Sequence, residues 1–195
     1  MNYATIPTPV SSVIDTDSAA AYAAADVSIS EACAEDLADI QDLLFEIFQE
    51  PQFNIKEEGH TLWERMQARY QADPQKNVDD FWGPDKSRRY AVLLRQKQTK
   101  ELVGVAWILA SDQSNDVGEL NKLYLRKDFR GRGLGKAVLT SMIEKAREIG
   151  FKTMYLITGR ELTTAIALYK SFGFVEVPQE RYFNSPNSIA MERHL

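Results

Sequence analysis

The feature that most constrains this sequence is a glycine-rich heptapeptide, Arg-Gly-Arg-Gly-Leu-Gly-Lys, at residues 130–136. It follows residues 119–125, which predict a β-strand, and leads into residues 134–149, which predict an amphipathic α-helix. Backbone N–H groups at a helix N-terminus carry partial positive charge, and glycine lets the backbone approach a ligand because it has no Cβ atom. The heptapeptide therefore predicts a site for a phosphate or pyrophosphate group.

The spacing within the heptapeptide argues against two common nucleotide-binding motifs. A P-loop requires G-x-x-x-x-G-K-[ST], but here Arg130 occupies the first glycine position and Ala137 follows Lys136. A dinucleotide-binding G-x-G-x-x-G motif would begin at Gly131 and end at Lys136, which is not a glycine. The strand predicted after the helix also lacks the acidic residue that binds a ribose in such proteins. Both nucleotide-binding hypotheses are therefore weak.

Hydrophobic periodicity along the rest of the chain predicts a mixed α and β domain. Helices are predicted from about residue 35 to Pro51 and over residues 59–72, 134–149 and 163–172. Strands are predicted over residues 27–31, 90–95, 102–110, 119–125, 153–158, 174–177 and 188–192. Residues 1–26 contain few large apolar side chains and predict a flexible N-terminal tail, in which the alanine-rich residues 19–25 could form a short helix.

Composition narrows the class of protein further. The 195 residues, 44% of them hydrophobic, suit one soluble domain, and a net charge of −5 argues against nonspecific nucleic-acid binding. Cys33 is the only cysteine, no run of 18 apolar residues exists, and no secretory or transit signal is recognisable, so we expect a cytoplasmic protein without a membrane partner. His60 and His194 are the only histidines, and neither has a second ligand type at metal spacing, so we expect no metal site.

The pattern Arg-x-x-Gly-x-Gly, from Arg130 to Gly135, resembles the pyrophosphate-binding signature of the GNAT acetyltransferases. Residues 165–174, Ala-Ile-Ala-Leu-Tyr-Lys-Ser-Phe-Gly-Phe, resemble the helix and turn that follow later in that family. The resemblance covers roughly residues 27–195, which we take as one GNAT domain. It implies an α+β fold: a mostly antiparallel twisted sheet with two splayed parallel strands, flanked by about four helices.

The resemblance also implies a cofactor, acetyl-CoA, and a set of residues that hold it. The backbone of residues 123–125 would contact the pantetheine arm and polarise the thioester carbonyl. The family often has an asparagine where this chain has Leu162, and the hydroxyl of Thr164 is a candidate replacement. The cofactor-binding residues implied are Leu123, Tyr124, Leu125, Arg130, Gly131, Arg132, Gly133, Leu134, Gly135, Lys136 and Thr164.

Two residues occupy positions that carry proton transfer in the family. Tyr169 is the implied general acid, which would protonate the leaving CoA thiolate, or else a core aromatic residue. Glu119 precedes Gly133 by the spacing at which several members place a glutamate, and an amine nucleophile must lose a proton before attack. Glu119 is therefore either a general base or a residue that binds substrate.

The acceptor is less constrained than the cofactor. Residues 119–125 resemble the corresponding strand of bacterial polyamine acetyltransferases, and residues 1–55 contain no lysine or arginine. These features favour a small cationic amine, while amino acids, peptide amines and aminoglycoside-like amines stay open, and so does a homodimer. An acyl-CoA-binding regulatory module without turnover is the alternative function.

Overall fold

The computed structural model describes residues 15–53, 56–57, 60–61, 64, 67–68, 88–111, 114–178 and 187–195. Its helices are α1 (Thr16–Ala24), α2 (Leu37–Phe48), α3 (Leu134–Ile149) and α4 (Thr163–Ser171). Its strands are β1 (Val27–Glu31), β2 (Lys56–Glu57), β3 (His60–Thr61), β4 (Arg89–Gln96), β5 (Leu102–Ser111), β6 (Ser114–Leu125), β7 (Thr153–Gly159), β8 (Val175–Val177) and β9 (Ser188–His194).

Seven of these strands form one sheet in the order β1-β4-β5-β6-β7-β9-β8. Every neighbouring pair is antiparallel except β6 and β7, which are parallel and are joined by the crossover helix α3. β2 and β3 form a separate antiparallel pair. The predicted α+β architecture is confirmed: a mostly antiparallel sheet with one parallel pair, together with the four helices whose bounds are given above.

The two faces of the sheet carry different cores because successive side chains of a strand point to opposite faces. Helices α1 and α3 cover one face, where Val92 and Leu94 of β4 are buried with Val138 and Met142 of α3. Helix α2 covers the other face. There its buried side chains pack on alternate residues of the same strands, in a cluster of Ile40, Leu43, Leu44, Ile47, Phe48, Leu93, Leu102, Val105 and Trp107.

Helix α1 lies within residues 1–26, which were predicted to be a flexible tail in which residues 19–25 could form a short helix. Thr16–Ala24 form a helix whose N-cap, Asp15, accepts a hydrogen bond of 2.8 Å from the backbone N–H of Ser18. Tyr22 and Ala25 are buried in the core shared with α3. Helix α1 therefore packs against α3, and Tyr22 is its buried aromatic residue. Residues 1–14 lie outside the described part.

The prediction for residues 59–72 can be compared with only a few described positions. Residues 60–61 form strand β3 rather than helix, while residues 64, 67 and 68 are helical as expected. The rest of that segment lies outside the described residues. The other predicted helices and strands that fall in the described part occur close to their predicted positions, although β6 begins at Ser114, several residues earlier than expected.

Candidate active site

The parallel strands β6 and β7 separate partway along their length. Their register pairs are Val117 with Thr153, Gly118 with Met154, and Glu119 with Tyr155. Beyond the last pair, β6 continues to Leu125 and β7 continues to Gly159, where β7 remains paired to β9 on its other side. The sheet therefore opens into a wedge that begins at Glu119 and Tyr155.

A β-bulge lies in β6 alongside this wedge. Val105 of β5 pairs with Tyr124, whereas Trp107 pairs with Asn121, so β6 advances by one residue more than β5 between these pairs. Lys122 has a φ of 56° within the extra length, a left-handed conformation that is uncommon for a residue with a Cβ atom. The bulge re-aims the residues that follow it. Tyr124 consequently packs on the α2 side, with its ring 5.3 Å from that of Phe48.

The glycine-rich heptapeptide connects the far end of β6 to the first turn of α3. Gly131 and Gly133 adopt φ values of 73° and 80°, which residues with side chains rarely adopt. Gly133 is the N-cap of α3 and provides no capping side chain. Within the described residues, no backbone N–H of residues 131–136 donates to a protein acceptor. The loop therefore presents a series of N–H donors at the positive end of the helix dipole.

The basic side chains of the heptapeptide are used differently from one another. Arg132 and Lys136 are exposed, and the Arg132 guanidinium lies 5.2 Å from the ring centre of Phe129. Arg130 instead donates from Nε to the backbone oxygen of Leu125 at 2.8 Å and forms a bidentate pair with the carboxylate of Glu50. The side chains of Arg132 and Lys136 thus face solvent at the loop, whereas that of Arg130 is paired with Glu50.

Glu119 lies at the apex of the wedge with two hydrogen-bond donors. The amide of Asn121 donates to Oε1 of Glu119 at 3.0 Å, and the hydroxyl of Tyr155 donates to Oε2 at 2.9 Å. The carboxylate belongs to the sheet face that α2 covers, because its register partner Leu109 packs against the α2 cluster. Sequence analysis did not single out Asn121 or Tyr155. The two-residue spacing from Glu119 to Asn121 indicates that both side chains lie on one face of the strand. No local sequence feature indicates that Tyr155 pairs with Glu119.

Tyr169 lies on α4 and belongs to the core on the opposite face of the sheet. Its side chain is buried, and its ring centre lies 5.9 Å from that of Phe174. Burial raises the pKa of Tyr169 to about 12. The phenol is therefore protonated at neutral pH and can donate a proton. No described contact joins Tyr169 to Glu119, so the two candidate catalytic groups approach the wedge from different faces.

Helix α4 is packed close to the start of α3. A Cβ atom on Gly135 would lie 3.4 Å from a Leu168 methyl group and 4.0 Å from a Leu125 methyl group, so Leu168 of α4 and Leu125 of β6 both lie next to the first turn of α3. Thr164, the candidate replacement for the family's asparagine, is exposed in the first turn of α4. The end of β6, the loop, and the helix that carries Tyr169 are therefore assembled around one site.

Two further properties concern the described residues only. None of their His, Cys, Asp and Glu side chains come together in a group of three or more that could hold a metal ion. None of the helices in this part of the chain has the length and apolar character needed to cross a membrane.

Comparison with known proteins agrees with this architecture. The family model of the Acetyltransferase (GNAT) family matches residues 44–174. The uncharacterized N-acetyltransferase YjgM from Escherichia coli is 42% identical over 106 residues, which are 54% of this chain and 62% of that protein. An uncharacterized N-acetyltransferase from Dictyostelium discoideum is 41% identical over 70 residues, 36% of this chain and 32% of that protein.

Among solved structures, the PaiA N-acetyltransferase of Thermoplasma acidophilum, determined in complex with coenzyme A, superposes with a TM-score of 0.66. The alignment covers 87% of this chain and 99% of that one at 16% identity, and it supports the fold. The wedge, the loop and these matches define the class of protein. The chain belongs to the GNAT acetyltransferase family, although its matches span about a third and 62% of the two relatives' lengths.

Proposed function

We propose that this protein is an acetyl-CoA-dependent N-acetyltransferase that transfers the acetyl group directly to a primary amine in a ternary complex. The observation that carries the proposal concerns the backbone N–H groups of residues 131–136, which donate to no protein acceptor within the described residues. These groups lie at the N-terminus of α3 and at the end of the splayed strand β6. This arrangement suits a ligand that has a pyrophosphate at one end and an extended arm that can lie along a strand edge.

The residues that would hold acetyl-CoA follow from this arrangement. The N–H groups of the loop would bind the pyrophosphate, and the exposed Arg132 and Lys136 would add positive charge. The backbone of residues 123–125, on the part of β6 that has no pair on β7, would bind the pantetheine arm. Thr164 lies at the start of α4, where a hydroxyl could contact the same ligand. Acetyl-CoA supplies the activated thioester.

Glu119 is the residue that we propose accepts a proton from the acceptor amine. Its carboxylate lies at the apex of the wedge, and the donors Asn121 and Tyr155 fix its orientation. An amine is protonated near neutral pH, and a positioned carboxylate can remove that proton directly or through water. The same negative charge favours a cationic acceptor, so we propose a small cationic amine such as a polyamine, with a peptide amine as the other candidate.

Tyr169 is the residue that we propose donates a proton to the departing CoA thiolate. Because its pKa is raised to about 12 by burial, the hydroxyl is present as the neutral phenol over the physiological pH range. Leaving-group protonation is a role that requires the neutral form of the acid.

The first test is thermal unfolding in saturating acetyl-CoA, CoA, NAD or ATP. A ligand that binds only the folded state adds about 2.7 kcal/mol of stability at 100 times its Kd. We expect acetyl-CoA and CoA to raise the Tm and NAD and ATP to leave it unchanged. Stabilisation by a nucleotide alone would contradict the proposal.

A thiol-release assay with a panel of polyamines, amino acids and peptide amines then tests turnover. We expect CoA release with at least one cationic amine, and loss of that release in the Glu119→Gln variant. Tight CoA binding without release on any amine would instead support the alternative, an acyl-CoA-binding regulatory module. A membrane-free cytoplasmic location is a further expectation that fractionation of the native cells would test.

A further inference from the structure

Glu46, in the last turn of α2, and Glu50, two residues beyond the end of that helix, face two arginines on the segment that joins β6 to α3. Glu46 pairs with Arg126, whose Nη2 lies 2.8 Å from Oε2, and Glu50 pairs with Arg130. The two glutamates are four positions apart, and so are the two arginines. The two ion pairs therefore belong to one contact between the two segments. The contact connects α2, which covers the Glu119 face of the sheet, to the loop on which the proposed cofactor site depends.

The inner pair has the geometry of a rigid link. The Nη1 and Nη2 atoms of Arg130 lie 2.6 Å and 2.5 Å from the two oxygens of Glu50, so the interaction is bidentate. The Nε atom of the same guanidinium donates to the backbone oxygen of Leu125 at 2.8 Å. A planar guanidinium held at three atoms fixes both ends of the segment between β6 and the glycines.

The outer pair is looser and serves as an internal comparison. The Glu46 side chain is 53% exposed, whereas that of Glu50 is 18% exposed. Arg126 also pairs with Glu101, so loss of Glu46 leaves Arg126 with another carboxylate. Among the described residues, Arg130 has no acidic partner other than Glu50. A solvent-exposed ion pair contributes little to stability, so removing Glu46 perturbs the segment little.

The partners of Glu50 favour its ionised form. Burial acts to raise the pKa of Glu50, but hydrogen bonds from Arg130 and Gln52 and the charges of Arg130 and Lys127 outweigh burial, so its pKa lies below its ordinary value. The carboxylate is therefore ionised at neutral pH. Since its charge offsets that of Arg130, the first residue of the signature has little net charge to offer a phosphate.

We propose that Glu50 is a positioning residue that fixes the glycine loop by holding Arg130, and that Arg130 acts through loop geometry rather than as a direct ligand of the pyrophosphate. The inference rests on the proposed function, because it assumes that the loop binds CoA. It assigns direct phosphate contact to the backbone N–H groups and to Arg132 and Lys136. It also makes α2 part of the support of the cofactor site.

The test is equilibrium binding of CoA and of pantetheine, which lacks the pyrophosphate, to the full chain and its variants. We expect Glu50→Gln to raise the Kd for CoA about tenfold and to leave the Kd for pantetheine unchanged. The matched control is Glu46→Gln, which makes the same charge change four residues earlier in the chain. It is expected to change the Kd for CoA by less than about twofold.

A double-mutant cycle tests whether Glu50 acts through Arg130. Arg130→Lys keeps the charge and loses the bidentate geometry, and we expect an increase in the Kd for CoA similar to that of Glu50→Gln. The double variant should bind CoA about as weakly as either single variant. An additive loss, an equal loss for pantetheine, or an unchanged Kd in Glu50→Gln would each overturn the positioning role. Absence of CoA binding by the wild-type chain would overturn the proposed function together with this inference.

Discussion

The hydroxyl of Tyr155 lies 2.9 Å from Oε2 of Glu119, across the last register pair of the two parallel strands. The two residues are neighbours because β6 and β7 are still paired at this point and separate immediately afterwards. The position of Glu119 and its contact with Tyr155 therefore both depend on the point at which the two strands separate. The hydrogen bonds from Asn121 and Tyr155 orient the carboxylate at the apex of the wedge, where we propose that it meets the acceptor amine.

Replacement of Tyr155 by phenylalanine removes this hydrogen bond while keeping the ring. A hydrogen bond to a charged group contributes about 1.5–3 kcal/mol, so we expect kcat with the best amine to fall about tenfold or more. The Kd for CoA should be unchanged, because Tyr155 is remote from the loop. Glu119→Gln is the reference variant, with a larger loss of about 10²–10⁴ typical of general base catalysis. Equal kcat values for Tyr155→Phe and wild type would contradict the prediction.

The pH dependence of Tyr169 follows from the direction of its pKa shift. The folded pKa of about 12 exceeds the ordinary value of 10.0, so the neutral phenol is favoured in the folded state. The stability that Tyr169 contributes is fully present below pH 10 and is lost as the pH rises toward about 12. We expect Tyr169→Phe to lower kcat at neutral pH. The kcat–pH profile of the variant should show the same ionisations as that of the wild type below about pH 9.5. A kcat–pH profile of the wild type with an ionisation near pH 8 that disappears in Tyr169→Phe would contradict this assignment.

Gly133 should not tolerate a side chain. Its φ of 80° is a left-handed conformation, and the penalty for a residue with a Cβ atom is about 1–2 kcal/mol. The strain also acts on the N-cap of α3, where the N–H donors converge. We expect Gly133→Ala to lower the free energy of unfolding in urea by that amount and to raise the Kd for CoA. Unaltered stability together with unaltered CoA affinity would show that the loop does not require this backbone conformation.

Tyr22 is expected to anchor α1 to the domain. Its side chain is buried against α3, and aromatic-to-alanine substitutions in cores cost about 3–5 kcal/mol. We expect Tyr22→Ala to lower the free energy of unfolding by about 3 kcal/mol, and Tyr22→Phe to lower it by much less. Chemical denaturation of the two variants measures the difference. If Tyr22→Ala were as stable as wild type, α1 would not contribute to the folded domain.

Sequence reasoning succeeded where the information is local. The strand before the glycines, the glycine conformations and the helix after them are all specified within a few residues of one another. The bidentate pair of Glu50 and Arg130 was not foreseen, because it joins residues 80 positions apart and depends on where α2 crosses the sheet. The bulge at Lys122 was missed for a related reason: a lysine carries no local signal for a positive φ, and the extra residue is visible only in the pairing with β5.

Helix α1 shows a limit of a different kind. Its alanines contribute little hydrophobic periodicity, so the criterion of apolar surface predicted a tail in which residues 19–25 could form a short helix. In the structure Ala21 lies beside the glycine loop, and a Cβ on Gly133 would lie 3.6 Å from the Ala21 Cβ atom, an ordinary van der Waals contact. Packing between small side chains is not revealed by the spacing of large apolar residues along the sequence.

The short seam between β6 and β7 divides the sheet into two panels. One panel contains β1, β4, β5 and β6, the other contains β7, β9 and β8, and only three register pairs join them. Each panel keeps its own long antiparallel ladders, so a small rotation about the seam would change the width of the wedge without breaking a ladder. Amide hydrogen exchange should therefore be slow within both panels, while the edges facing the wedge exchange faster until a bound molecule bridges them.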